Sequence, residues 1–380
     1  MILIDVVFLF LLFILGLLIP TFLNVSQEDR LSLKILWMYH LIFSVYYSFF
    51  LRVDSYTYWV EANNMTSAEF WEYIMKSGTY FVNAITYIPT NLLGLSYLSV
   101  TILFSLVGYI GMVYFYQIAV RYIPYNVKIK GIYLFPLLFF LPNLHLWSVA
   151  IGKDSLLFFC IGAFAYSLTD IKKYLPLMAF ALILSYLVRP HITLILIFSF
   201  GFVFFISSHI SKSKRILLSV LFVTVALVLL PSVMEHFKLD SLSEVDQFSD
   251  KTAENMAQGA GSAIDISSYP YPLKFFSFLY RPLFFDINGF AALIISFENL
   301  LLLILSIYVI RNHPMRTFRS APIIIQGLFI FLLVGSLIFC SLMSNLGIII
   351  RMRNMFLPGL LIYILWSFSY NAKCKLDGKK

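Results

Sequence analysis

Residues 2–23 read ILIDVVFLFLLFILGLLIPTFL, a single carboxylate in an apolar run long enough to cross a bilayer. A hydrocarbon core about 30 Å thick takes roughly 20 apolar residues per helix. The run carries Asp5 where a secretory leader would carry positive charge, so it reads as a span and not as a cleavable signal. Comparable runs recur at 35–51, 97–120, 131–149, 155–169, 174–189, 192–208, 216–234, 289–310, 322–343 and 355–371. The pattern predicts an all-α, polytopic transmembrane helical bundle of about eleven spans, forming a single integral membrane domain over 1–380.

Composition agrees with lipid as the solvent. Hydrophobic residues make up 61% of the chain and charged ones 12%, against about 25% charged in a soluble domain. A net charge of +8 raises nucleic acid as a partner. The basic residues come in short clusters between apolar runs, as in membrane loops, and exclude it. Cys160 and Cys340 fall inside apolar runs and Cys374 in the C-terminal tail, so no disulfide framework is implied.

Basic residues set the direction. With the N-terminus outside, the clusters around Arg30, Lys128, Lys172, Lys212, Arg316 and Lys373 all fall in the cytoplasm, as the positive-inside bias requires. An odd number of spans then leaves the C-terminus inside. Two outer segments are long, about 52–96 and 235–288. The first contains Thr66-Ser-Ala-Glu69, the spacing of a capping box. Phe70, Trp71, Ile74 and Met75 follow on one helical face, which makes an amphipathic helix suited to the outer interface. The first half of the second segment, through Gly259-Ala-Gly261-Ser262, has the composition of a flexible loop or lid.

The outer ends of the spans carry more charge than hairpin turns need. They offer Arg52 and Asp54, Gly152-Lys153-Asp154-Ser155, Arg189-Pro190-His191, Arg281 with Asp286, and Asn345 followed by Arg351 and Arg353. Arginine grips phosphate oxygens bidentately and lysine acts on them as a point charge, so a pyrophosphate at headgroup level suits this set. Each residue also has a plainer reading. Arg189 can complement a helix C-terminus or snorkel. Asp154 and Ser155 are natural N-caps, and His191 follows a helix-starting proline. Asp54 can pair with Arg52, and Glu298 beside Asn299 reads as a buried interhelical hydrogen-bonding pair. Lys153 resists such a reading because an outer lysine runs against the charge bias. Gly152-Lys153-Asp154-Ser155 lacks the upstream glycine spacing of a phosphate-binding loop, and no His/Cys/carboxylate spacing suggests zinc.

These motifs together, Arg52-Val-Asp54-Ser-Tyr-Thr-Tyr58, Gly152–Ser155, Arg189-Pro190-His191 and Asn345 to Arg351, resemble those of bacterial exopolysaccharide and O-antigen polymerases of the Wzy/EpsG-like kind. The resemblance covers most of the chain as a pattern of spans and outer motifs. It implies a multi-pass protein of the bacterial cytoplasmic membrane acting on lipid-linked oligosaccharide, with undecaprenyl pyrophosphate as carrier. It also implies outer-face chemistry without metal or other cofactor, and other polysaccharide-assembly proteins as partners. In that frame Arg189, Arg351, Arg353, Lys153 and Arg281 bind the pyrophosphate, and His191, Asp54 and Asp154 are the candidate bases. A single-sugar transferase of the GT-C type is the second reading, carried by Asp54 and the amphipathic helix after it. A transporter of lipid-linked sugars is the third, disfavoured because no internal repeat is present and the polar groups gather at one face.

Overall fold

The computed structural model describes residues 2–51, 54–206, 211–236, 269–287, 289–342 and 345–378. Arg52 and the 259–262 segment lie outside them. The described chain is almost entirely helical and packs as two compact units, one of residues 1–121 and 136–193, the other of 122–135 and 194–380.

Unit 1 begins with α1 (Ile2–Leu18) and α2 (Gln27–Tyr46). Trp37 lies against Gly16 so closely that a Cβ there would fall 2.2 Å from the ring, and its indole N–H donates to Phe13 O at 3.1 Å. Three short helices follow, α3 (Asp54–Asn64), α4 (Ser67–Tyr73) and α5 (Thr79–Tyr87), then the long α6 (Tyr97–Tyr122). The expected capping box is present: Thr66 accepts from Glu69 N, and Glu69 accepts from Thr66 N at 2.8 Å. Trp71 and Met75 stay exposed beyond it.

The 131–149 run forms no continuous helix, which corrects the sequence expectation. It breaks into a two-stranded hairpin (Lys128–Ile129 with Ile132–Tyr133), α7 (Leu134–Leu137), a 3-10 turn and α8 (Pro142–Leu146). The cause is local. A proline disfavours helical geometry in the residue before it, and Phe135 before Pro136 (φ −101°, ψ 132°) and Leu141 before Pro142 (φ −62°, ψ 127°) are both extended. The next helix, α9 (Lys153–Ser167), has 15 residues, roughly 22 Å and short of a full hydrocarbon core. It crosses α6 backbone to backbone, a Cβ on Gly162 meeting Gly111 O at 2.7 Å, the small-residue contact that membrane helices use. α10 (Ile171–Val188) completes the unit's helices.

The remaining helices are α11 (Pro190–Ile206), α12 (Lys212–His236), α13 (Tyr271–Tyr280), α14 (Phe290–Arg311), α15 (Pro314–Ser320), α16 (Ile323–Leu342), α17 (Leu346–Arg353) and α18 (Leu357–Leu376). In unit 2, α18 packs on α16 through Gly359, whose Cβ would fall 2.4 Å from Leu328 O.

Among the described residues five helices are long and apolar enough to cross a membrane: Leu3–Phe22, Tyr97–Tyr122, Ile171–Val188, Phe290–Arg311 and Ile323–Leu342. A sixth span arises if α17 and α18, bent by 60°, are taken as one. Pro190–Ile206 and Arg215–Pro231 are apolar but shorter. α1 leaves Leu3, Ile4 and Phe10 more than half exposed, surface that water would not tolerate in a contiguous band. The chain is a multi-pass helical membrane protein, and among the described residues five or six helices have the length and apolarity of a full span where the hydropathy runs suggest about eleven.

Candidate functional site

In unit 1 the charged motifs are built on helix ends. Gly152 caps α9 with φ +148°, a region open in practice only to glycine, and its Cα faces the Tyr58 ring of α3. The chain then turns Lys153 and Asp154 into the first turn of α9. Asp154 is buried, and Arg189 Nη1 stands 3.4 Å from its Oδ1, each side chain about one-tenth exposed. Arg189 terminates α10, its N–H donating to Ser185 O at 2.8 Å and its carbonyl accepting from Ile192 N at 3.0 Å. Pro190 opens α11 with a preset φ, and half-buried His191 follows in the same turn. Lys153 Nζ donates to Thr79 Oγ1 at 3.0 Å. The α5 start is pinned to the α10 end, because Gly78 N donates to Leu187 O at 2.8 Å. Lys153 and Asp154, adjacent in sequence, therefore share one neighbourhood with the distant Arg189. Asp54 opens α3 and is exposed.

Unit 2 uses its arginines differently. Arg281 is nearly buried and grips Asp286 with two nitrogens, Nε at 3.0 Å from Oδ2 and Nη2 on Oδ1. Tyr269 OH accepts a third bond at 3.3 Å, and the guanidinium lies over the Phe285 ring. The Asp286 carboxylate raises the Arg281 pKa further. Arg353 is fully buried. It donates to Leu279 O at 2.6 Å, Arg281 O at 3.3 Å and Asn299 Oδ1 at 2.7 Å, while Asn299 Nδ2 donates to Pro282 O. Its guanidinium thus closes the open carbonyl end of α13 and ties it to α14. Arg351, two residues earlier, is half-buried. Asn345 has a local role, its side chain accepting from Gly347 N and Ile348 N as the N-cap of α17.

Two features escaped the sequence. One is a histidine pair in the unit 1 core: His40 Nδ1 and His145 Nδ1 are 2.9 Å apart, with their Nε2 atoms on Ser105 O and Phe139 O. For all three contacts to be hydrogen bonds the rings must hold three N–H protons, one more than two neutral imidazoles carry. The other is a polar cavity of about 660 Å3 beside α3, α4 and α5, whose walls include Glu61, Glu69, Thr79 and Asn83. By contrast, unit 2 holds two apolar clefts of about 590 and 540 Å3, lined by residues such as Phe198, Phe222 and Val334, and Phe202, Leu279 and Ile364.

Among the described residues no group of three His, Cys, Asp or Glu side chains is placed to hold a metal ion. No family model, curated protein or solved structure matches the chain.

Proposed function

We propose that the chain polymerises lipid-linked oligosaccharide units at the outer face of a bacterial cytoplasmic membrane, moving a growing glycan from its polyprenyl pyrophosphate onto the terminal sugar of another unit. The observation that carries this reading is the Lys153–Asp154–Arg189 group, cations and a carboxylate held together at the ends of apolar helices. Charge builds on the pyrophosphate as the glycosidic bond breaks, and preorganised cations stabilise that charge more in the transition state than in the ground state. Arg189 and Lys153 take that role. Arg281 and Arg353 are assigned to holding the α13–α14 connection. The acceptor hydroxyl loses its proton to a general base, for which His191, Asp54 and Asp154 are the candidates. The apolar clefts of unit 2 suit isoprenoid or acyl chains.

Asp54 favours a second reading. An exposed carboxylate opening a helix, followed by α4 with Trp71 and Met75 exposed, matches the expectation for a single-sugar GT-C transferase. Mass spectrometry of lipid-linked glycans in cells lacking the gene separates the two. Accumulated complete repeat units mean polymerisation, units lacking one sugar mean the GT-C reading, and an unchanged pool rejects both.

A further inference from the structure

The unit 1 cavity has the wall chemistry of a sugar site. A pyranose ring presents hydroxyls that donate and accept, and C–H faces that pack on aromatic rings. Its recognition calls for carboxylate acceptors, amides that do both, and an aromatic surface. Glu61 and Glu69 supply the acceptors, Asn64 the amide, Thr79 a hydroxyl, and Tyr80 with Tyr73 the aromatic surface. The Tyr73 and Tyr80 rings meet edge to face with centroids 4.8 Å apart, which fixes their orientation.

The site is held from below. Asn83 is buried on α5, and its Nδ2 donates to Glu61 Oε2 on α3, so the carboxylate is oriented before any ligand arrives. Asn91 Nδ2 ties the end of the same segment back to Asn63 O at 2.8 Å. Other ligand classes fit less well. Two carboxylates in the wall disfavour an anion, and an aliphatic chain would strip water from those carboxylates and the Asn64 amide without replacing its hydrogen bonds. A hard cation such as calcium needs six to eight oxygens, and the metal-ligating side chains do not gather there.

Thr79 joins this cavity to the cation group, since it lines the cavity and also accepts from Lys153 Nζ at 3.0 Å. We propose that the cavity bounded by Glu61, Asn64, Glu69, Thr79, Tyr80 and Asn83 is a carbohydrate subsite that seats an uncharged sugar of the substrate glycan next to Lys153. The identity of that glycan rests on the polymerase reading; the existence of the subsite does not. Glu61 and Tyr80 are the specificity-determining residues, because both are exposed to the cavity and one offers hydrogen bonds and the other a ring face.

The test uses the full chain in lipid nanodiscs. The probe is the oligosaccharide freed by mild acid from the lipid-linked pool of cells carrying the gene, and binding is measured by calorimetry and saturation-transfer NMR. Wild type is expected to bind, with affinity at least about 10-fold weaker in Glu61→Gln and in Tyr80→Ala, the loss of one charged hydrogen bond or one ring contact. Both cavity side chains are exposed, so folding is retained, checked by monodispersity of the reconstituted variants. Equal affinity in all variants, or no binding by wild type, overturns the subsite. Repeat units that accumulate in gene-null cells while the cavity variants bind normally leave the polymerase reading standing and the subsite rejected. Cavity-dependent binding with no change in the null-cell pool does the reverse.

Discussion

Arg189 and Arg353 both sit at the C-terminal ends of helices, where a cation complements the helix dipole, yet their surroundings give them different work. Arg189 keeps about one-tenth of its side chain exposed and faces a carboxylate beside Lys153. Arg353 has no exposed surface and gives its hydrogen bonds to two backbone carbonyls and an amide oxygen. A guanidinium whose two terminal nitrogens are both given to protein oxygens in the core is a structural tie. One that stands beside a carboxylate and keeps part of its surface exposed stays within reach of a phosphate. The difference teaches that arginine at the end of a span is not by itself a sign of anion binding; the partners decide.

The sharpest way to break that comparison is to remove the tie. Arg353→Ala leaves the Leu279 and Arg281 carbonyls and Asn299 without their donor and opens a cavity. The expected loss is roughly 3–5 kcal/mol, read as a large drop in the thermal midpoint of the detergent-purified protein and in its membrane abundance. An Arg353→Ala protein as stable as wild type would reassign Arg353 to ligand binding.

Gly152→Ala tests the other side. A side chain at φ +148° costs roughly 1–3 kcal/mol of backbone strain, relieved by moving the turn that presents Lys153 and Asp154. Glycan-transfer activity is expected to fall more than stability does. A fall in both by the same factor would mean that the turn serves only the fold.

The smallest effect concerns α4. The Thr66 backbone N–H, with its hydroxyl, holds the Glu69 carboxyl below its ordinary pKa of 4.5. A depressed folded value means the capping contribution is complete above the ordinary pKa and is lost as pH falls through the lowered one. Hydrogen exchange of the 67–73 amides should therefore be steady near neutral pH and lose protection only in acid, and Glu69→Gln should flatten that response. An unchanged acid profile in the variant would show the box to be irrelevant to α4.

Parts of this molecule were open to reading from its residues. The runs at 2–23, 97–120, 289–310 and 322–342 hold long helices because no proline interrupts their interiors. The Thr66–Glu69 box was legible because capping is local. The 131–149 run was misread because hydropathy ignores Pro136 and Pro142, whose steric demand on the preceding residue acts whatever the polarity. Lys153, Asp154 and Arg189 stand out in the sequence as charges at span ends, but their meeting depends on the Arg189–Asp154 ion pair and on the Thr79 and Gly78 contacts, which no spacing announces. The Glu61–Asn83 bond was invisible, since nothing in the spacing of two exposed-looking helix positions announces a cavity. Arg353 was misweighed for the converse reason: sequence reports a charge, not whether protein carbonyls already hold it.

The most direct measurement is the profile of lipid-linked glycans in gene-null cells complemented with wild type, Arg189→Ala or Asp154→Asn at matched membrane abundance. Wild type should restore long chains. The variants should accumulate complete single repeat units, with polymer output down about 100- to 1000-fold for Arg189→Ala, the loss expected of one preorganised charge-stabilising group. Normal chain lengths in Arg189→Ala cells would contradict the account, and the group at Lys153, Asp154 and Arg189 would then be a structural one like that of Arg353.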